Sequence, residues 1–154
     1  MRCNLILSWI TSSYPETKIV DKLINKVIKP IFNSEIIDEV FNVLKDHFDK
    51  EHQGELKLLL ESGCNPVTKL YFMNHGNKLS DCLKKLYEAN YISNCNKREL
   101  EQWVFINFTF RNSKTKKPQD FKLKTLRDSI SNKYSKAPCK NPLFNIKNGI
   151  ILKV

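Results

Sequence analysis

A mostly helical α+β fold is predicted for this chain of 154 residues. Three observations point to it. Apolar residues recur at helical spacing in several separate segments. Period-two alternation is confined to short runs, most of them late in the chain. Between these stretches stand single Gly, Pro and Asn residues of the kind that end helices and turn strands. The predicted organisation is an N-terminal helical region at 1–50, a mixed unit at 51–132 and a basic tail at 133–154.

The first clear helix opens at Ser13-Tyr14-Pro15-Glu16, where Pro15 suits a first helical turn. Ile19, Leu23 and Val27 form one row and Val20, Ile24 and Ile28 a second, and Pro30 ends them. Ser34 is the expected cap of a second helix, with Glu35 in its first turn. Ile36, Ile37, Val40, Phe41, Val43, Leu44 and Phe48 supply its apolar stripe. The two helices read as a hairpin at 15–50 that either packs on the rest of the chain or pairs with a second copy as a homodimer.

Gln53–Ser62 continues as a helix, and Gly63 stands where a left-handed C-cap belongs. Lys69–Met73 is a strand candidate, and Asn74-His75-Gly76-Asn77 has turn chemistry. Leu79, Cys82, Leu83, Leu86 and Tyr87 then mark an amphipathic helix over 79–89. Asn90–Asn94 connects it to a helix at 97–107. There Asn96 and Glu99 have capping-box spacing, and Leu100, Trp103 and Val104 face inward.

After this helix the period becomes two. Phe108 and Phe110 alternate with Thr109 and Arg111, and the alternation returns in Phe121-Lys122-Leu123-Lys124. The polar loop 112–120 between them makes a β-hairpin. Thr125 is the expected cap of a short helix carrying Leu126 and Ile130. Residues 132–145 read as basic and irregular, and Asn148-Gly149 as the turn of a last hairpin between Ile146 and Ile150-Ile151-Leu152.

From residue 53 the order is helix, strand, helix, helix, strand, loop, strand. That is the order of a winged-helix domain, preceded here by the N-terminal helical hairpin and completed by a small antiparallel hairpin. In that frame helix 97–107 takes the recognition position and loop 112–120 is the wing. The charge agrees in part. Formal net charge is +10, from 26 basic and 16 acidic residues. Residues 1–110 hold 14 of each sign, so residues 111–154 carry the whole excess, with 12 Lys/Arg against Asp120 and Asp128. Such asymmetry points to a polyanionic partner.

The expected phosphate contacts are Arg111, Lys114, Lys116, Lys117, Lys122, Lys124 and Arg127, on and after the wing. From the helix, Lys97, Arg98 and Gln102 are expected at the nucleic acid, with Arg98 suited to guanine and Gln102 to adenine. Glu99 and Glu101 on the same helix are expected to oppose phosphate. DNA rather than RNA is the expected partner. The alternative is a protein-interaction module on the same scaffold, since fold does not fix function.

Lys69-Leu70-Tyr71-Phe72, Gly76-Asn77-Lys78-Leu79 and Leu83-Lys84-Lys85-Leu86-Tyr87-Glu88-Ala89 together resemble the C-terminal half of the RteC-type regulators of bacterial conjugative transposons. Glu99-Leu100, Phe105, Phe108 and the segment Phe121–Leu126 fall in corresponding places. The resemblance covers residues 66–131. It implies a winged-helix-like DNA-binding fold and a regulatory role in a mobile genetic element. The N-terminal region and the tail after residue 132 have no counterpart in it.

Other classes find little support. The start, Met1 to Ile10, has a six-residue apolar stretch broken by Ser8 and no small-residue cleavage site. No run approaches the ~18 apolar residues of a membrane span. A cytoplasmic protein without a membrane partner is therefore expected. Cys3, Cys64, Cys82, Cys95 and Cys139 are odd in number and widely spread, which fits reduced thiols. They do not pair with His47, His52 or His75 at metal-ligand spacing, so no metal or other cofactor is expected. Asn107-Phe108-Thr109 matches a glycosylation acceptor by accident of composition. Asp46, His47, Asp49, Glu51 and His52 are the one dense titratable cluster. It reads as a solvated helix end, and a non-enzymatic protein is expected.

Overall fold

The computed structural model describes residues 27–131 and 139–154. The expected helix at 15–30 lies outside them except for residues 27–30, which are not helical, and the chain's start and the stretch 132–138 lie outside them too. Among the described residues about 47% is helix and 18% strand, which makes the fold an α+β mix.

The chain enters through β1 (Ile31–Phe32) and turns into α1 (Ile37–Leu44). The expected cap at Ser34 is not used. Asn33 makes the turn instead: its Oδ1 accepts from Glu35 N at 2.9 Å, and its carbonyl accepts from Ile36 N at 3.1 Å. An Asn side chain that bonds the backbone two residues on competes well with a later Ser cap. It delays the helix until Ile36 and Ile37 are both buried. A 3₁₀ turn (Lys45–His47) leads to α2 (Lys50–Ser62). That helix ends as expected at Gly63, with φ +67° and its N–H donating to Leu59 O at 2.9 Å.

Next come β2 (Leu70–Phe72), α3 (Gly76–Glu88), β3 (Ile92–Ser93) and α4 (Lys97–Asn107). Helix α3 starts inside the stretch expected to be a turn. Gly76 serves a close approach here: a Cβ on it would lie 2.7 Å from Phe121 Cε1 and 3.0 Å from Phe110 Cγ. The chain continues through β4 (Phe108–Arg111), β5 (Pro118–Asp120), the single turn α5 (Leu123–Leu126) and a π-type turn (Arg127–Ser131). A hairpin of β6 (Phe144–Lys147) and β7 (Ile150–Lys153) follows. Asn148 and Gly149 turn it, both at positive φ, which is the backbone such two-residue turns require.

Two expectations are corrected around β5. The second strand is not Phe121–Lys124 but Pro118–Asp120. Phe121 is buried with its ring centroid 4.7 Å from that of Phe110, while Leu123 is 38% exposed. Two alternate residues of a half-buried strand would both be buried, so the alternation here marks one anchor and a turn. Pro118 is tolerated because β5 is an edge strand. Helix α5 begins after Lys122 rather than at Thr125. In the stretch expected to be irregular, Phe144 and Asn145 already belong to β6.

Strand order in the main sheet is β2-β4-β5. β2 runs parallel to β4, with Leu70 opposite Phe108 and Phe72 opposite Phe110. A parallel pair needs a crossover, and α3, β3 and α4 supply it. β4 and β5 are antiparallel. β1 pairs antiparallel with β3, which ties the entry segment to the α3–α4 connection. Buried apolar residues from Phe32 to Phe144 form one cluster. Its aromatic centre is Trp103, 5.5 Å from Phe108 and 5.7 Å from Phe32, with Phe48 lying 5.5 Å from Phe72.

Candidate nucleic-acid interface

Helix α4 is set by its cap. Asn96 Oδ1 accepts from Glu99 N at 2.9 Å, and Glu99 Oε2 accepts from Asn96 N at 2.9 Å. This fixes the helix phase so that Leu100, Trp103 and Val104 are buried. Arg98, Gln102 and Ile106, four residues apart, then form the outward row, with Ile106 48% exposed. The two carboxylates expected to oppose phosphate do not stand on that row. Glu99 is engaged in the capping box. Glu101 is 2% exposed and faces the turn after α5, where it accepts from Ser131 Oγ and lies 4.0 Å from Arg127 Nε. Lys97 also turns aside, its Nζ 3.3 Å from Glu88 Oε1.

The β4–β5 loop is built by Asn112. Its Oδ1 accepts from Lys114 N at 2.8 Å and from Thr115 N at 3.0 Å. Its carbonyl accepts from Lys116 N at 3.0 Å, and its N–H donates to Lys117 O at 2.9 Å. Lys116 takes φ +59° to close the loop. Lys114, Lys116 and Lys117 are left exposed on a tight frame that holds no carboxylate. Arg111, at the base, lines a small cleft of about 120 Å³ with Lys116, Asn74 and His75.

The outward face of the main sheet joins loop and helix. Tyr71, Thr109 and Asp120 are in register across the three strands. Lys69 Nζ is 2.7 Å from Asp120 Oδ1 and sits 4.8 Å from the centroid of Phe105 on α4. Tyr71 Oη lies 3.5 Å from the Lys116 carbonyl oxygen. Lys69 thus links Phe105 on α4 to the β5 edge of the sheet, and Tyr71 links β2 to the loop. Lys69, Tyr71, Phe105 and Ile106 on this surface are not among the residues expected from the sequence. The alternation of Lys69, Tyr71 and Met73 with buried Leu70 and Phe72 was the signal for the first two.

The remaining expected residues are scattered. Lys122 precedes α5 and Lys124 lies within it, both exposed, and neither is on a strand. Arg127 sits on the following turn and is committed in part to Glu101.

The titratable cluster near residue 46 is dispersed. Asp46 faces Lys153 at 3.7 Å, and His47 Nδ1 is 3.4 Å from Asn74 Nδ2. Burial lowers the His47 pKa, with Lys78 adding to the shift and Asp46 opposing it. Burial pushes the Cys95 thiol up to about 11 and the Cys82 thiol higher still, so neither is a ready nucleophile. Among the described residues no three His, Cys, Asp or Glu side chains are grouped to hold a metal ion. No helix among them is long and apolar enough to cross a membrane. No protein-family model, curated protein or solved structure matches the chain.

Proposed function

We propose that this protein is a non-enzymatic DNA-binding regulator. The β4–β5 loop grips the phosphate backbone, and α4 presents Arg98, Gln102 and Ile106 to base edges. The observation that carries this reading is the loop itself: three lysines and Arg111, no carboxylate, and a frame ordered in advance by Asn112. Ordering the loop before contact lowers the entropy lost on binding. The inward turn of Glu101 supports the reading further, because it removes a charge that would repel phosphate. DNA is favoured over RNA because the major groove of B-DNA, about 12 Å wide, admits a helix, whereas that of A-form RNA is too narrow for side chains to read.

In this reading α3 supports α4, and the order α2, β2, α3, α4, β4, loop, β5 is that of a winged helix. The likeness lies in element order and loop chemistry, not in strand pairing, since β2 runs parallel to β4. Regulation of mobile-element genes belongs to the same proposal and is supported by the short motifs at 69–72, 76–79 and 83–89. Exposed Ile106 also suits the alternative of a protein-docking helix.

Titration of labelled duplex DNA at two salt concentrations separates the two. Micromolar or tighter binding that weakens steeply with salt is expected. Replacing Lys114, Lys116 and Lys117 by Gln should reduce the slope of log K against log salt by roughly one unit per lost phosphate contact. Absence of binding at low salt would reject the proposal.

A further inference from the structure

Between the start of α3, the β4–β5 pair and α5 lies a hollow of about 690 Å³. That is within the roughly 300–1,000 Å³ typical of small-molecule sites. One wall is apolar: half-buried Phe110, its ring centroid 4.7 Å from that of buried Phe121 and tilted 49° to it. Three lysines border it from three separate segments: Lys78 in α3, Lys122 ahead of α5 and Lys140 ahead of β6. None of the three is in an ion pair among the described residues. The one carboxylate on the wall, Asp120, is already paired with Lys69 at 2.7 Å. Lys78 and Lys140 also line a neighbouring hollow of about 400 Å³, in which Lys153 is paired with Asp46 at 3.7 Å. Like charges gathered on a concave surface focus a positive potential into it and concentrate anions there.

We infer that this hollow binds a small phosphorylated ligand bearing an aromatic ring, a mononucleotide being the simplest such compound. The phosphate sits among Lys78, Lys122 and Lys140, and the ring lies against Phe110. An ammonium triad alone would take any anion; the aromatic wall adds the preference for a ring. The site stands independently of the DNA-binding reading, because Lys78 and Lys140 belong neither to the loop nor to α4.

The test uses the full chain and three probes in calorimetric titrations at low salt: adenosine 5′-monophosphate, adenosine and inorganic phosphate. Saturable binding of the monophosphate is expected, at least tenfold tighter than either fragment. The double variant Lys78→Gln, Lys140→Gln should weaken it tenfold or more. Its thermal midpoint without ligand should match that of the parent within about 2 °C, since neither side chain is in an ion pair among the described residues. The Lys114→Gln, Lys116→Gln, Lys117→Gln variant should bind the monophosphate as the parent does. Three results would each overturn the inference: no saturable binding, equal affinity for inorganic phosphate, or full affinity in the double variant. A fourth arm separates the sources of phosphate. Duplex DNA affinity should change less than twofold in the double variant, and a parallel loss would assign these lysines to the nucleic-acid backbone instead.

Discussion

The β4–β5 and β6–β7 hairpins are both basic, and they handle their charge in opposite ways. In β6–β7 the chain is pinned to the body. Phe144 is fully buried, and Lys85 Nζ donates to Phe144 O and Asn145 Oδ1, both at 3.1 Å. Tyr91 Oη donates to Gly149 O at 2.6 Å, and Lys153 faces Asp46 at 3.7 Å. In β4–β5 the loop is held by its own Asn112, and its three lysines are exposed and in no ion pair among the described residues. A count of charge over residues 111–154 treats the two as one cationic region. The counter-charges and anchors divide it into a structural hairpin and an available one.

Breaking the anchor is the largest perturbation. Phe144→Ala should destabilise the protein by about 3–5 kcal/mol, the usual cost of emptying a fully buried aromatic site. Urea denaturation measures this, and a loss below about 1 kcal/mol would mean that β6–β7 is not part of the core. Duplex affinity of the remaining folded protein should be unchanged.

Asn112→Ala strikes the other hairpin without touching its charge. It removes the acceptor of two backbone N–H groups and the donor to Gln119, together worth roughly 1.5–4.5 kcal/mol if each bond contributes a typical net amount. Duplex affinity should fall up to roughly tenfold with the salt slope preserved, since every lysine remains. An unchanged affinity would mean that loop order is irrelevant to binding.

Lys153→Gln is expected to do little. Its pair with Asp46 is exposed, so stability should move by less than about 1 kcal/mol, and the salt slope should match the parent. A drop in slope like that of the loop lysines would erase the distinction between the hairpins.

The smallest effect is a pH tilt. Burial, then Lys78, depresses the His47 pKa below its ordinary 6.5. The unfolded chain therefore takes up the proton first as pH falls. Stability is full above about pH 6.5 and declines below it until the folded-state pKa is passed. Thermal midpoints measured between pH 7.5 and 5 should fall less steeply in His47→Gln than in the parent.

What could be read in the sequence was local. Gly63 ends α2, Asn96 and Glu99 cap α4, and Asn148-Gly149 turns the last hairpin, each because a short side-chain or backbone rule governs the position. The stripe Leu79–Leu86 is buried because its spacing admits one helical face. What could not be read depends on partners distant in the chain. Glu101 looks outward by composition but is claimed by Ser131. Lys97 is claimed by Glu88. Lys78, Lys122 and Lys140 converge only after α3, α5 and the approach to β6 are placed. Phe121 misled because alternation cannot distinguish a strand from a single buried anchor beside a turn. The parallel β2–β4 pairing has no sequence signal short of the two helices that separate its strands.

That parallel pairing also bears on the order of assembly. β4 and β5 are joined by a short loop and can meet early. β2 reaches β4 only when the long stretch holding α3 and α4 has closed, and loop-closure entropy must be met before that contact forms. Within the main sheet, the face carrying Lys69 and Tyr71 is therefore expected to be completed after the β4–β5 hairpin. Local opening should begin at the β2 edge, so the amides of Leu70 to Phe72 should exchange with solvent sooner than those of β4, while the lysine loop stays formed.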